Sequence, residues 1–289
     1  MDYGLELPNY PDGASPEGIE AAADVAERLG WSTVWTTDHV LVPTADREYA
    51  RIYEAITTLA WVGARHPTVR LGTSVIVVPQ RNAVILAKEL ATLDSLSGGR
   101  VIAGIGIGWN RGEYANLGVA DRFGVRGAYL DETIRLWRHL WSGSSEPFAG
   151  RFHTLEDYAF EPLPAQRNLP IVIGGRAERA LRRVGELADG YHANSTSPAT
   201  YAQRLPIIAA AAETAGRPMP SLASRVRVEF DAIGGDPYAL RGSPEEMAAE
   251  VRAFADLGVT HLALHFTTTD PAELVARAER FADEVAPLA

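Results

Sequence analysis

Asp38 and His39 stand side by side and carry side chains that often transfer protons in enzymes. They follow residues 31–37, a segment rich in β-branched and aromatic residues that is predicted to form the second strand. A histidine at a strand end can polarise a substrate or donate a proton near neutral pH. The alternative is that both side chains only hydrogen-bond the backbone of the loop. The seven histidines show no i, i+4 pairing with carboxylates on one helix, so we predict no metal site.

Two glycine-rich segments could hold a cofactor. The stretch 101–107 alternates glycine with β-branched residues, which predicts a strand buried on both faces, and it ends in Gly108-Trp109-Asn110-Arg111. Trp109 can lie on a planar ligand, although most tryptophans belong to the core or line a cavity. Gly174-Gly175-Arg176 leaves backbone amides exposed at a helix N-terminus, where phosphate binds. The alternative for the glycines is close packing or a tight strand-to-helix turn.

Strand and helix patterns alternate eight times, which predicts an α/β fold with one (β/α)8 TIM barrel domain over residues 1–289. The predicted strands cover 3–8, 31–37, 69–78, 101–107, 169–173, 190–194, 226–233 and 259–265. The predicted helices cover 19–29, 49–65, 83–96, 124–141, 177–188, 199–215, a segment opened by Ser243, and 270–285. Helix-starting pairs of a capping residue and proline stand at Ser15-Pro16, Ser197-Pro198, Ser243-Pro244 and Asp270-Pro271.

A small insertion interrupts this alternation before the fifth strand, at about 142–168. It is predicted to form a hairpin from 152–154 and 158–160. In a TIM barrel the residues beyond the strand C-termini converge on one end, so the candidate residues are expected to meet there. That collection comprises Asn9, Asp38, His39, residues 74–79, 106–110 and 174–177, Asn194, Ser195 and His265.

Composition narrows the possible partners. The net charge of −10 argues against a nucleic-acid or anionic-membrane partner. The absence of cysteine from the sequence excludes disulfides, thiolate nucleophiles and cysteine-bound metals. No apolar run approaches the ~20 residues that span a bilayer. The first residues do not have the pattern of a signal peptide, so we expect a cytoplasmic protein.

Several segments between residues 30 and 175 are specific enough to compare with known families. They are Gly30-Trp31 through Trp35-Thr36-Thr37-Asp38-His39, Arg70-Leu71-Gly72-Thr73-Ser74-Val75, the block 81–100 that ends in Leu96-Ser97-Gly98-Gly99-Arg100, the block 104–114, and Pro170 through Gly174-Gly175. Together they resemble the bacterial luciferase-like monooxygenase superfamily, and within it the probable coenzyme F420-dependent oxidoreductases. The last third of the chain resembles the family only in its strand–helix alternation.

The resemblance implies a set of cofactor contacts. The phosphate of a flavin or deazaflavin is expected at Gly174, Gly175, Arg176 and Ala177, with Asn194 at the same end of the barrel. A non-proline cis peptide, Ser74–Val75, is expected to form a bulge behind the central ring. Residues that line the ring and its ribityl chain are then Gly106, Ile107, Gly108, Trp109 and Asn110. Asp38 is also expected to contact the cofactor, and His39 is expected near the hydride-carrying face.

The chain departs from the sugar-phosphate dehydrogenase branch of this superfamily at two places. That branch has an acid near the position of Trp109, and it has a tryptophan soon after the Asp-His pair. This chain has an indole at the first place and reads Val40-Leu41-Val42-Pro43 at the second. A sugar-phosphate substrate is therefore not expected.

The leading hypothesis is an oxidoreductase that transfers a hydride between coenzyme F420 and a small organic substrate, with His39 as proton donor or acceptor. The alternative is an FMNH2-dependent two-component flavin monooxygenase, which must protect a peroxyflavin from water. A third hypothesis is a non-catalytic flavin-binding protein. It is the least favoured, because the chain keeps Asp38-His39 and all eight strand–helix pairs of the barrel. Arg176, Arg179 and Arg225 are candidates for holding the polyanionic F420 tail.

The resemblance also implies a homodimer formed through the second and third helices. Apolar residues that could provide such a face are Ile52, Ile56, Leu59, Ala60 and Val62. The alternative is that they pack on the barrel, as helices of this fold must.

Overall fold

The computed structural model describes residues 1–11, 13–232 and 234–289. Eight parallel strands form a closed barrel, because each pairs with the next and the eighth pairs with the first. They are β1 Asp2–Glu6, β2 Thr33–Thr36, β3 Arg70–Thr73, β4 Val101–Gly106, β5 Ile171–Ile173, β6 Gly190–Asn194, β7 Ser221–Phe230 and β8 His261–His265. The predicted TIM barrel is confirmed.

Eight main helices alternate with these strands in the described part of the chain. They are α1 Pro16–Arg28, α2 Ala55–Gly63, α3 Ala83–Ser97, α4 Arg126–Trp141, α5 Glu178–Leu187, α6 Pro198–Thr214, α7 Pro244–Asp256 and α8 Pro271–Arg280. The predicted caps are confirmed: Ser15, Ser197, Ser243 and Asp270 each accept a hydrogen bond from a backbone amide in the first turn. After α8 the chain ends in the helical turns Phe281–Val285 and Ala286–Leu288.

Trp35 fills the inside of the barrel. Its indole is 2% exposed and stacks on the ring of His192, with 4.5 Å between ring centroids. The indole nitrogen donates a hydrogen bond to Nε2 of His261 over 3.1 Å. Gly72 on β3 leaves the space that this ring needs, because a Cβ atom there would lie 2.3 Å from Cε3 of Trp35. The barrel interior is therefore closed by one large ring packed against a small residue.

The third strand differs from its predicted span of 69–78. It is interrupted after Thr73, and the chain resumes as the short strand Ile76–Val77, which pairs with β4 at Ile105 and Gly106. The Ser74–Val75 peptide between the two pieces is cis, as the resemblance implied. At the interruption the backbone of Thr73 comes so close to β4 that a Cβ at Gly104 would lie 1.7 Å from the Thr73 carbonyl oxygen.

The second helix begins at Ala55 and not at residue 49, so that prediction was wrong. The side chain of Glu54 caps the helix by accepting from the amide of Thr57 over 2.7 Å. The preceding segment is held away from a helical path, because the amide of Tyr53 donates to the carbonyl of Asn9 over 2.8 Å. Before it, Arg47–Tyr49 forms a single 3₁₀ turn.

The hairpin of the insertion pairs Phe148–Ala149 with Thr154–Leu155, so the predicted pairing of 152–154 with 158–160 was wrong. The carboxylate of Glu132 fixes the turn, because it accepts from the amides of Arg151, Phe152 and His153. Phe160 lies instead in the core, with the ammonium of Lys88 over its ring at 4.0 Å.

Other boundaries shifted by smaller amounts. The helix predicted from 124 begins at Arg126, after the helix Arg111–Asn116 and the 3₁₀ segment Ala120–Val125. The seventh strand was predicted over 226–233; it covers Ser221–Phe230, and Ile233 lies outside the described residues. A further 3₁₀ turn covers Val78–Gln80, and the strand Ala239–Gly242 pairs with β7.

Most of the candidate dimer face is used inside the chain. Ile56, Leu59 and Val62 are buried and belong to the hydrophobic core between α2 and the barrel.

In the described part of the chain, no helix is both long enough and apolar enough to cross a membrane.

Replacing Gly104 by alanine is expected to destabilise the fold, because the added methyl group would overlap the Thr73 carbonyl and two paired strands cannot separate locally. We expect the free energy of unfolding to fall by at least about 2 kcal/mol. Urea denaturation measures this. The matched control is Gly124→Ala, where an added Cβ meets nothing within 4 Å and the change should stay within about 0.5 kcal/mol. Equal stability of the two variants would contradict the close approach.

Candidate active site

A cleft of about 590 Å³ opens at the C-terminal ends of the barrel strands. This is the end at which TIM barrels place their active sites, and the volume is in the usual range for small-molecule sites. The structure brings together most of the sequence-predicted residues along this cleft: Asp38, His39, Ser74, Val75, Gly106, Ile107, Gly108, Trp109, Gly174, Gly175, Arg176, Ala177 and Asn194.

Asn110 is the predicted site residue that the structure uses elsewhere. Its side-chain oxygen accepts from the amides of Gly112 and Glu113 and so caps the short helix Arg111–Asn116. Its amide nitrogen donates to Asp46 over 2.7 Å. The spacing Asn-x-x-Glu is a helix-start pattern, so this role could have been found in the sequence.

Glu113 lies behind His39 and was missed by sequence reasoning. Its Oε2 is 2.9 Å from Nδ1 of His39 and accepts from Nε2 of Gln80 over 3.0 Å. Its Oε1 accepts from the amides of Val40 and Leu41 over 2.7 and 3.3 Å. Burial opposes ionisation, but the hydrogen bonds from His39, Val40 and Gln80 outweigh it and lower the pKa of Glu113 to about 2. The carboxylate is therefore ionised at neutral pH.

Aromatic rings surround His39 on the cleft side. The Tyr49 ring lies 4.1 Å from the His39 ring, and the Trp109 ring meets His39 edge-on at 6.0 Å. Tyr10 stacks on Tyr49 at 5.3 Å. Burial is the main cause that raises the pKa of Tyr49 to about 12, so its hydroxyl stays neutral. Tyr49 was missed because it was assigned to a helix, whereas the 3₁₀ turn places it over His39.

Asp38 lines the cleft, but both of its carboxylate oxygens bind other parts of the protein. Oδ2 accepts from the amide of Val77 over 2.9 Å, and Oδ1 accepts from Arg81 over 2.6 Å. Arg81 also bridges to Glu54 over 3.0 Å. Asp38 therefore anchors the segment that follows the interruption of β3.

Val75 explains why two of the cleft glycines are needed. A Cβ at Gly106 would lie 2.7 Å from one methyl group of Val75, and a Cβ at Gly174 would lie 3.3 Å from the other. The neighbouring Ser74 hydroxyl is 3.0 Å from Nε2 of His192. Burial is the main cause that lowers the pKa of His192 to about 3, so this imidazole is neutral.

An ion pair joins the buried Glu6 to Arg225, which helps to line the cleft, with Nε of Arg225 3.3 Å from the carboxylate. Arg225 also donates to the Tyr10 hydroxyl over 2.6 Å and to Nδ1 of His265 over 3.1 Å. Burial raises the pKa of Glu6 while Arg225 opposes the shift. Burial alone would lower the pKa of Arg225, but Glu6 holds it above its ordinary value. Arg225 is thus already committed to protein partners.

The other end of the cleft is built around the turn from β5 to α5. Gly175 has φ +142°, and a Cβ there would lie 2.7 Å from Cβ of Ala180, so only glycine fits. Its carbonyl accepts from the Tyr191 hydroxyl over 2.9 Å, and that hydroxyl accepts from Arg204 over 2.9 Å. The cap residue Ala177 offers no side-chain acceptor to the first amides of α5. This helix end is available to an anion.

Four arginines line the cleft at this end: Arg126, Arg176, Arg183 and Arg204. Arg183 pairs with Asp131. Among the described residues the other three have no carboxylate partner, and Nε of Arg126 is buried without a hydrogen bond. Sequence reasoning missed Arg126, Arg183 and Arg204, because it collected site residues from strand ends and these three lie within helices. Arg179, predicted as a candidate, is exposed and lies outside the set of described residues that lines the cleft.

The strand-end histidine–carboxylate pair, the aromatic rings and the arginine-lined helix end thus lie in one cleft at the C-terminal end of a TIM barrel. The sequence pattern of the luciferase-like monooxygenase family matches residues 5–232. The chain belongs to this family and is an oxidoreductase. A curated relative, an F420-dependent glucose-6-phosphate dehydrogenase of Nakamurella multipartita, is 28% identical, with 90% of each chain covered.

Two solved structures share the fold over nearly the whole chain. An F420-dependent secondary alcohol dehydrogenase in complex with an F420–acetone adduct superimposes with a TM-score of 0.84, at 20% identity, covering 100% of this chain and 98% of that one. The oxygenating constituent of a type II Baeyer–Villiger monooxygenase from Pseudomonas putida, in complex with FMN, gives 0.81 at 16% identity, covering 100% and 98%. At these identities the two structures establish the fold.

Replacing Asp38 by alanine is expected to lower the free energy of unfolding by about 3 kcal/mol, because it removes the buried acceptor of the Val77 amide and one of the two carboxylate partners of Arg81. Urea denaturation measures the loss. Glu178→Ala serves as the control, since it breaks an exposed pair with Arg182 and should cost no more than about 0.5 kcal/mol. Unchanged stability together with lost cofactor binding would instead assign Asp38 to the ligand.

Proposed function

We propose that this oxidoreductase transfers a hydride between coenzyme F420 and a small organic substrate. The observation that carries this proposal is the charge at the α5 end of the cleft. A chain of net charge −10 places Arg126, Arg176 and Arg204 there without carboxylate partners among the described residues. Unpaired cations around an uncapped helix N-terminus suit a polyanionic cofactor.

The residues present fit such a cofactor. The amides at the start of α5 and the Gly174-Gly175 turn would hold the phosphate, and the nearby arginines would hold the anionic tail. Val75, with Gly106 and Ile107, would back the ring system. When bound, the deazaflavin supplies the capacity to accept or deliver a hydride. The protein supplies orientation, exclusion of water and a group that moves the proton.

The comparisons support F420 over the alternative of an FMNH2-dependent two-component monooxygenase. The curated relative and one structural neighbour are F420-dependent by name. The neighbour with FMN shares the same fold, and an uncapped helix end binds the phosphate of either cofactor. Three arginines without a carboxylate partner among the described residues exceed what a single phosphate requires, which favours the more highly charged tail.

The substrate end of the cleft favours a small neutral molecule. His39, Tyr49 and Trp109 present ring surfaces there, and Arg225, which also lines the cleft, is already paired with Glu6. A sugar phosphate would need an uncommitted cation beside these rings. His39 is the residue placed to move a proton, and we assign it that role.

Two further expectations from the sequence stay predictions. The resemblance implies a homodimer, and α3 exposes Ile85 by 58% and Leu96 by 83%, which gives that helix apolar surface for a second copy. We also propose a cytoplasmic location, with neither nucleic acid nor membrane as a partner.

Apoprotein titrated with F420 and separately with FMN is expected to bind F420 at least about tenfold more tightly, a difference of 1.4 kcal/mol. Fluorescence of each cofactor reports binding. Arg176→Ala should weaken F420 binding by about five- to tenfold, since it removes one charge-assisted contact. Arg179→Ala removes another exposed arginine at the same helix end, one outside the described residues that line the cleft, and it should leave affinity unchanged. Tighter binding of FMN would overturn the proposal.

Replacing His39 by asparagine is expected to lower turnover by about 10²–10⁴-fold, the usual contribution of a general acid or base. Cofactor affinity should stay the same, because the loss concerns the proton and not the anion-binding end. The measurement is F420 reduction with a panel of small alcohols, with cofactor binding determined in parallel. Full turnover by the variant would remove His39 from the mechanism.

A further inference from the structure

We propose that Glu113 is a positioning residue that fixes the tautomer of His39. In this assignment the proton of the neutral ring lies on Nδ1, and Nε2 is left as a hydrogen-bond and proton acceptor in the cleft. The assignment concerns the apoprotein and is independent of any cofactor. What Nε2 does in catalysis rests on the proposed function.

The donor and acceptor pattern around Glu113 requires a hydrogen on Nδ1 of His39, so the Nδ1–H form is the one that a neutral ring must adopt. An ionised carboxylate can accept hydrogen bonds but cannot donate, so every partner of Glu113 must supply a hydrogen. The amides of Val40 and Leu41 and the side-chain amide of Gln80 do so. The fourth partner, Nδ1 of His39 at 2.9 Å, must therefore be protonated.

The opposite nitrogen of His39 is open to the cleft. His39 lines the cavity, and none of the described residues hydrogen-bonds Nε2, which is also absent from the buried unpartnered atoms. Contacts with Tyr49 and Trp109 hold the plane of the ring. Because Nδ1 is occupied by the carboxylate, a neutral ring presents a lone pair at Nε2.

This tautomer defines the direction of proton movement. When a substrate hydroxyl lies at Nε2, its O–H bond breaks as the Nε2–H bond forms, and the oxygen keeps the electron pair. The positive charge that results on the imidazole lies beside the Glu113 carboxylate, which stabilises it. The substrate class that uses this arrangement is an alcohol, or its carbonyl product in the reverse direction.

The variant Glu113→Gln should invert the tautomer with little change of shape. The glutamine oxygen can still accept from Val40 and Leu41, which places the NH2 group toward His39 and Gln80. Oε1 of Gln80 is buried without a partner among the described residues, so its amide can rotate and accept from that NH2 group. Nδ1 of His39 must then accept as well, and the ring proton moves to Nε2.

Two-bond ¹H–¹⁵N correlation spectra of ¹⁵N-histidine-labelled apoprotein, recorded at mildly alkaline pH, identify which ring nitrogen carries the proton. The His39 signals are assigned by their loss in His39→Asn. We expect Nδ1–H in the wild type and Nε2–H in Glu113→Gln. The control is Glu132→Gln, which alters a carboxylate that also accepts backbone amides but lies away from His39, and it should leave the tautomer unchanged.

An Nε2–H tautomer in the wild type, or an unchanged tautomer in folded Glu113→Gln, overturns the proposal. If Glu113→Gln does not fold, as circular dichroism would show, the wild-type spectrum alone decides. With F420 and an alcohol substrate, the turnover of Glu113→Gln should be about 10²-fold lower than that of the wild type, and its affinity for the cofactor should be unchanged. If His39 of the wild type carries its proton on Nδ1 but the protein binds no F420, the proposed function is refuted and the role of Glu113 stands.

Discussion

The close approach of β3 to β4 sets the geometry of the whole cleft. The carbonyl of Thr73 lies where a side chain at position 104 would be, so only glycine allows the chain to leave β3 at that point. The departing segment places Val75 against Gly106 and Gly174, and the carboxylate of Asp38 receives the amide of Val77. A ring system bound in the cleft would therefore meet a surface whose position is fixed by backbone packing and not by a mobile loop.

The carboxylates around the cleft are satisfied by the protein itself, and this determines its electrostatics. Glu6 faces Arg225, Asp38 binds Arg81 and a backbone amide, and Glu113 accepts from several protein donors. Their negative charge is therefore compensated locally, and the arginines near α5 dominate the field at the other end of the cleft. The two ends differ in character: one is suited to an anionic cofactor tail and the other to a neutral substrate.

The fold was largely predictable because strand periodicity, capping pairs and glycine ends act locally. The residues beyond the strand C-termini could be collected from the sequence for the same reason, and the cleft brings most of them together. Glu113, Tyr49 and Arg204 were beyond this reasoning, since none of them follows a strand end. Tyr49 and Arg204 reach the cleft from a turn and a helix, and Glu113 contacts His39 from behind through a pairing of distant segments. Asn110 shows the converse, because it follows a strand end but its side chain caps the helix Arg111–Asn116.

Glu113 links two properties of the site that would otherwise vary separately. Its Oε1 holds the amides of Val40 and Leu41, while its Oε2 holds Nδ1 of His39, so one carboxylate fixes both the loop after β2 and the state of the histidine. The sugar-phosphate dehydrogenase branch of the superfamily, from which this chain departs, is expected to have an acid near position 109. Here that position is Trp109, and the acid is buried on the far side of His39. Negative charge thus supports the proton acceptor from behind and leaves the substrate side apolar, an arrangement suited to a neutral alcohol.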